Sequence, residues 1–183
     1  MPRKKACPEK TMSGPNEKPG YSALRRFRHS AAGAEYFITT NLQVRGTGLE
    51  EAGLRDQIKG QWMKLQNEGI WQVRTAVIMP DHVHLLVELG LEAELAGCMR
   101  LFKGPLTPLL RSRRLVWQDG YYEHRMRVGD DCLPVFLYIL LNPYRAGLAP
   151  LNEEWPGYHC AADDWAWFGS LTEKTMPQPE WLR

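Results

Sequence analysis

A predicted β-hairpin constrains the fold of this 183-residue chain more than any other feature of the sequence. Residues 76–79 and 82–89 form two largely apolar runs, and the Pro80-Asp81 pair between them is typical of a turn. In a strand, residues two apart point to the same face. His82 and His84 therefore project side by side at the start of the second strand, while the aliphatic residues that alternate with them enter the core.

Two imidazoles on one face of a strand suit a divalent cation, because neutral histidine is a common metal ligand. The same short pattern is equally typical of two half-buried histidines that face polar partners. The His-x-His pattern alone leaves both interpretations open, so a second feature of the sequence has to decide between them.

Strand and helix patterns alternate along the rest of the chain. Strands are predicted at 35–41, 71–79 and 82–89, with a fourth inside 115–126. A first helix is predicted behind a capping box at 47–50, with apolar residues at Leu54, Ile58, Trp62 and Leu65 and its end at Gly69. A second helix is predicted from Leu91, Leu95, Met99 and Phe102, with an interruption at Gly104-Pro105. A third is predicted behind a cap at Asp130-Asp131, with Pro134 in its first turn and 135–142 inside it, ending before or around Pro143.

This order of elements is that of the ferredoxin-like fold, an α+β architecture with an antiparallel sheet and two helices on one face. The strand with His82 and His84 then lies inside the sheet, and the two histidines face away from the first two helices, where the third helix can cover them. The expected organisation is a disordered basic arm at 1–20, a folded domain at 21–150 and an extension packed on it at 151–183.

Composition argues against several classes of protein. No apolar run is long enough to span a bilayer, and the basic, proline-rich N-terminus lacks the apolar segment of a secretory signal. The four cysteines are scattered, which argues against a zinc ribbon or a disulfide scaffold and predicts reduced thiols in the cytosol. The net charge is +2, yet residues 1–30 carry eight basic side chains against two acidic ones. Such an arm indicates a polyanionic partner or a solvated tail.

The third predicted helix supplies the second feature. Tyr138 and Asn142 are four residues apart, so they share one face of the helix, and both are polar exceptions in an apolar segment. A buried amide needs a partner, and a cation is a partner that an asparagine oxygen can bind. A cation polarises a phosphoryl group, which a tyrosine phenolate can then attack to form a covalent bond to phosphorus.

Together the two segments resemble the motifs of the HUH single-tyrosine transposases and, more narrowly, of the REP-associated tyrosine transposases. That family carries a Pro-Asp-His-x-His-hydrophobic strand, which residues 80–87 match, and a Tyr-Ile-x-x-Asn-Pro-x-Arg-Ala-Gly-Leu helix end, which residues 138–148 match. Trp117-Gln118 followed by Tyr121-Tyr122 is similar to a segment between the two motifs. The resemblance covers about residues 21–160, and Tyr144 departs from it, since an aliphatic residue is usual there.

The resemblance implies a ferredoxin-like HUH domain that cleaves and rejoins single-stranded DNA near hairpins of repetitive extragenic palindromes. It implies that His82, His84 and Asn142 hold Mg²⁺ or Mn²⁺ and that Tyr138 is the nucleophile. A 5′-phosphotyrosine forms and a 3′-OH is released, so no ATP is needed. The expected location is the bacterial cytoplasm, at the nucleoid, and the C-terminal extension favours a monomer over a dimer.

Basic side chains are the candidates for DNA contact, because phosphate neutralisation dominates nucleic-acid affinity. The candidates are Arg25, Arg26, Arg28, Lys103, Arg111, Arg113, Arg114 and Arg145.

Alternative functions remain at this stage. A histidine-triad nucleotide hydrolase needs a third histidine where Leu86 stands, and a metal-dependent amidohydrolase barrel needs a longer chain. A relaxase of the wider HUH group usually carries a further histidine ligand. The alternative from a different class is a catalytically silent protein that binds hairpin DNA and has no need of Tyr138.

Overall fold

The computed structural model describes residues 33–171, which form a five-stranded antiparallel sheet with two helices against each face. The strands are β1 (Glu35–Asn41), β2 (Trp71–Ile78), β3 (His82–Leu89), β4 (Tyr122–Arg125) and β5 (Tyr158–Cys160). The helices are α1 (Ala52–Asn67), α2 (Leu95–Ser112), α3 (Leu133–Arg145) and α4 (Ala162–Leu171). The strand order β4-β1-β3-β2-β5 confirms the predicted fold class and adds a fifth strand that was not predicted.

Alternation along the strands divides the apolar residues between two cores. On β3, Val83, Leu85 and Val87 pack toward α1 and α2, whereas Leu86 packs toward α3. Phe136 and the other buried residues of α3 complete the second core. The helix that carries Tyr138 therefore covers the histidine side of the sheet, as the sequence predicts.

A β-bulge at Arg74 shifts the register of β2. The pairing with β3 is irregular between Val73 and Thr75, so the residues after the bulge exchange faces relative to those before it. The Arg74 guanidinium forms ion pairs with Glu35 of β1 and Asp164 of α4. The bulged residue thus ties the last helix to the sheet on the side of α3.

The start of α1 differs from the predicted capping box. The helix begins at Ala52 behind Glu51, without a side-chain cap. The Glu50 carboxylate instead accepts a hydrogen bond from the Gly48 N–H at 2.6 Å. Leu49 is fully buried, and its N–H donates to Pro80 O at 3.1 Å, so tertiary packing holds this segment outside the helix.

Helix α2 continues through Gly104-Pro105, where an interruption was predicted. Pro105 has no N–H for the carbonyl of Leu101, and that carbonyl accepts a hydrogen bond from Gln61 Nε2 of α1 at 2.8 Å. Leu91, expected in the first turn, is exposed and precedes the helix. No helix within 33–171 has both the length and the apolar character that crossing a membrane requires.

Helix α3 also passes its proline, since it runs to Arg145, two residues beyond Pro143. The following segment anchors this last turn. The buried Tyr144 hydroxyl donates to Glu153 O at 2.9 Å and accepts from the Trp155 N–H at 3.1 Å. These contacts hold the end of the helix in place and offset the loss of the backbone hydrogen bond that Pro143 cannot make.

Candidate active site

His82 and His84 are held so that their Nε2 atoms converge, 3.1 Å apart. The Nδ1 atom of His82 lies 2.6 Å from Asp81 Oδ1, and that of His84 lies 2.8 Å from Thr39 Oγ1 of β1. A carboxylate can only accept, so Nδ1 of His82 carries a proton, and in the neutral ring Nε2 then has a free lone pair. With Nδ1 of His84 donating to Thr39, its Nε2 has a lone pair as well.

This convergence fits a cation. His84 is 4% exposed, and burial together with the adjacent His82 lowers its pKa to about 3, so the ring is neutral at neutral pH. Two lone pairs at this distance repel each other unless a cation or a proton lies between them. Imidazole–metal bonds of about 2.1 Å put two ligand nitrogens about 3.1 Å apart at an angle of roughly 95°. The Asp81 carboxylate behind His82 is the kind of partner that orients a metal-binding histidine, and the Thr39 hydroxyl holds the ring of His84.

Tyr138 of α3 faces the same point. Its hydroxyl lies 3.4 Å from His84 Nε2, and its ring packs against His84 and Phe37, with centroids 5.1 and 5.8 Å away. The side chain is 36% exposed, so a bound molecule can reach the hydroxyl from solvent. The phenol is therefore both fixed in position beside the histidines and accessible.

Asn142 follows Tyr138 by one helical turn. Its side chain is half-buried and makes no hydrogen bond with the residues that the structure describes. Across 33–171, no group of three histidine, cysteine or acidic side chains is arranged to hold a cation. Asn142 stays the predicted third protein ligand beside the two imidazoles.

Neighbouring strands supply residues that the sequence did not single out. The Phe37 ring stacks on His84 with centroids 5.5 Å apart, and Thr39 orients that histidine. Asp81 belongs to the predicted turn and to the Pro-Asp-His motif, but no role was predicted for it at the site, where its carboxylate contacts His82. Phe37 and Thr39 carry no local signal, because the pairing of β1 with β3 brings them to the site.

Arg145 lies beside Tyr138, with its guanidinium carbon 6.0 Å from the centre of the tyrosine ring. It is one of the predicted DNA-contacting residues that the structure describes. Lys103 lies on α2 at the opposite face of the sheet. Its Nζ donates to Gln118 O at 2.8 Å and Gly120 O at 2.9 Å, and burial lowers its pKa. The side chain of Lys103 thus holds the loop before β4.

The other candidates within the described residues lie away from the site. An exposed basic group at the C-terminal end of α2 consists of Arg111, Arg113 and Arg114. In this group, the guanidinium of Arg113 pairs with Glu51 at 3.3 Å. Arg25, Arg26 and Arg28 lie outside the described residues.

Comparison with known proteins identifies similar chains. Residues 33–128 match the family model described as "Transposase IS200 like". The chain is 23% identical over 130 residues to the REP-associated tyrosine transposase of Escherichia coli (strain K12), across 70% of this chain and 78% of that protein. The fold is similar to that of a REP-associated tyrosine transposase bound to a REP hairpin, with a TM-score of 0.63 and 20% identity, across 82% of this chain and 86% of that one. A putative transposase from Deinococcus radiodurans R1 covers 62% of this chain and 89% of its own at 15% identity, with a TM-score of 0.45, which is too low to carry an argument.

Proposed function

The chain belongs to the family of IS200-like transposases, and on this premise we propose that it cleaves and rejoins single-stranded DNA beside REP-like hairpins through a covalent bond from Tyr138 to a 5′ phosphate. The resemblance to a protein bound to a REP hairpin supports the DNA partner. One observation carries the proposed chemistry: the Tyr138 hydroxyl is 3.4 Å from His84 Nε2, the same atom on which His82 Nε2 converges.

His82, His84 and Asn142 are the residues that would hold Mg²⁺ or Mn²⁺. Bound there, the cation would polarise the phosphoryl group and stabilise its developing negative charge. The two Nδ1 hydrogen bonds orient the imidazoles before any ligand arrives, which keeps the cost of assembling the site low.

Tyr138 is the proposed nucleophile. Its ring is held between His84 and Phe37, so the hydroxyl is kept in position for in-line attack on a phosphate. A Tyr138 Oη–P bond forms as the P–O3′ bond breaks, and the phenol proton ends on the released 3′-OH by way of solvent. One phosphate ester replaces another, so the strand is rejoined by the reverse step without ATP.

Arg145 is the proposed phosphate contact nearest to the nucleophile. Its guanidinium lies over the ring of Tyr138, within reach of a phosphate presented to the hydroxyl. Arg25, Arg26, Arg28, Lys103, Arg111, Arg113 and Arg114 stay predictions as contacts with the hairpin.

A monomer acting on DNA in the bacterial cytoplasm is the proposed working state. The contacts among His82, His84 and Tyr138 are all made within one chain, which supports a monomer. The alternative remains a protein that binds hairpins without cutting them.

A cleavage assay tests the proposal. The full chain is incubated with labelled single-stranded DNA that carries a REP-like hairpin from the host genome, with Mn²⁺ or Mg²⁺. We expect a covalent protein–DNA adduct that disappears with chelator and with Tyr138→Phe but persists with Tyr144→Phe, the matched control about 1.7 helical turns away. Hairpin binding without an adduct would instead support the silent binding protein, and absence of both would contradict the DNA partner.

A further inference from the structure

We propose that Tyr122, together with Phe37, forms a stacking site for one unpaired nucleobase of the DNA strand that flanks the reacting phosphate. This inference rests on the proposed function and adds the class of ligand bound beside the nucleophile. The two side chains are called the aromatic shelf.

The register of the sheet aligns the shelf with the candidate active site. Tyr122 pairs with Thr39, and Thr39 pairs with His84, so these three side chains form one row on the face covered by α3. Strands are about 4.8 Å apart, which places Tyr122 about 10 Å from the histidine along the row. In a single strand, the phosphate of one nucleotide and the base of the next are a comparable distance apart, so a phosphate at the histidines puts a neighbouring base within reach of Tyr122.

The rings are continuous from the sheet edge to the nucleophile. Phe37 contacts Tyr122 edge-on at 6.3 Å, Tyr138 edge-on at 5.8 Å and His84 in a stacked arrangement at 5.5 Å. Isolated exposed aromatic residues are common, but Tyr122 is joined through Phe37 to the rings of His84 and Tyr138. Anything bound on the shelf therefore lies next to Tyr138.

The exposure of the shelf indicates an occupant from solvent. β4 is an edge strand, and Tyr122 is 58% exposed although its ring already touches Phe37 at one side. The two rings carry no charge, so they suit the flat face of a base better than a phosphate, and the exposed His124 lies beside Phe37 in the register. In a duplex the bases are stacked on each other, and only an unpaired base presents a free face to such a ring.

A binding experiment with base deletion tests the shelf. The protein is full-length Tyr138→Phe, which retains the ring and prevents cleavage, with Mn²⁺ present. The probe is a stem-loop from the host genome with an oligothymidine tail on each side, either intact or with one abasic spacer moved along the tails. Tyr122→Leu removes the aromatic face, and Tyr122→Phe is the conservative variant that retains it.

We expect Tyr122→Leu to bind the intact probe about 5- to 150-fold more weakly, the range for loss of one stacked base, while Tyr122→Phe binds normally. In the parent protein, which has Tyr138→Phe and an intact Tyr122, an abasic spacer at one tail position should lower the affinity for the probe by a similar factor. The same spacer should have little further effect on the affinity of Tyr122→Leu, because both changes remove the same contact. The salt dependence of binding should stay the same, since no phosphate contact is lost.

Two results would overturn the inference alone: equal affinity of Tyr122→Leu and the parent protein, or additive effects of Tyr122→Leu and the spacer at every tail position. In both cases the parent protein still binds the probe, so the proposed function stands. If the parent protein binds neither probe, the proposed function fails and the aromatic shelf fails with it.

Discussion

Replacing Thr39 by valine removes one hydroxyl and keeps the shape of the side chain. That hydroxyl lies 2.8 Å from Nδ1 of His84, whose side chain is 4% exposed. Water therefore has little room to take its place, and the ring loses the partner that fixes its orientation. We expect Thr39→Val to weaken the binding of Mn²⁺ to the protein without DNA.

The magnitude follows from the role of such partners. Losing a hydrogen bond to the back of a metal-binding histidine typically costs 10- to 100-fold in metal affinity, or roughly 1.4–2.7 kcal/mol. Thr39→Ser keeps the hydroxyl and should restore most of the affinity. Isothermal titration with Mn²⁺ measures the affinity directly, separately from any DNA cleavage.

The neighbouring threonine is a matched control. Thr40 is fully buried on the other side of the same strand, and its hydroxyl has no hydrogen-bond partner within 33–171. Thr40→Val should leave Mn²⁺ affinity unchanged and keep or raise stability, because no hydrogen bond is lost. Wild-type affinity in Thr39→Val, or an equal loss in Thr40→Val, would refute the orienting role of Thr39.

Three further predictions concern stability, pH and DNA binding. Tyr144→Phe should lower the free energy of unfolding in urea by about 1–2 kcal/mol, because the Trp155 N–H loses its acceptor; an unchanged midpoint would contradict the anchoring of α3. Burial and Lys59 lower the pKa of His159, so the unfolded chain binds a proton at a higher pH than the folded chain does, and stability falls as pH decreases below about 6.5. His159→Phe should reduce that loss in thermal unfolding, and an identical pH profile would argue against it. Arg145→Gln should reduce the salt slope of hairpin binding by about 1, whereas an unchanged slope would remove Arg145 from the phosphate contacts.

Local rules predict which of the candidate site residues share a face. Alternation in a strand put His82 and His84 on one face, and the four-residue spacing put Tyr138 and Asn142 on one face of a helix. The order of the elements then placed that helix over that strand. The structure has the strand inside the sheet and α3 on the predicted side of it.

The partners of the site residues depend on strand register, which no local pattern specifies. Thr39 is 45 positions from His84, and only the pairing of β1 with β3 brings its hydroxyl to the ring. Phe37 of β1 is brought to the ring of His84 in the same way. The bulge at Arg74 exchanges the faces of the β2 residues that follow it, and the apolar pattern likewise gives no signal of it.

The helix ends were mispredicted where tertiary contacts override a local rule. Proline breaks an isolated helix, but Gln61 of α1 satisfies the carbonyl that Pro105 leaves free. The last turn beyond Pro143 is anchored through Tyr144 to a segment that follows the helix. Both contacts join distant parts of the chain, so the sequence of each helix alone does not reveal them.

Mass spectrometry of the protein–DNA adduct tests most directly whether Tyr138 is the nucleophile. The full chain is trapped with hairpin DNA in the presence of Mn²⁺ and digested with protease and nuclease, and the modified peptide is fragmented. We expect a nucleotide attached through its 5′ phosphate to Tyr138. A nucleotide on Tyr144 or Tyr122, or attachment through a 3′ phosphate, would contradict it.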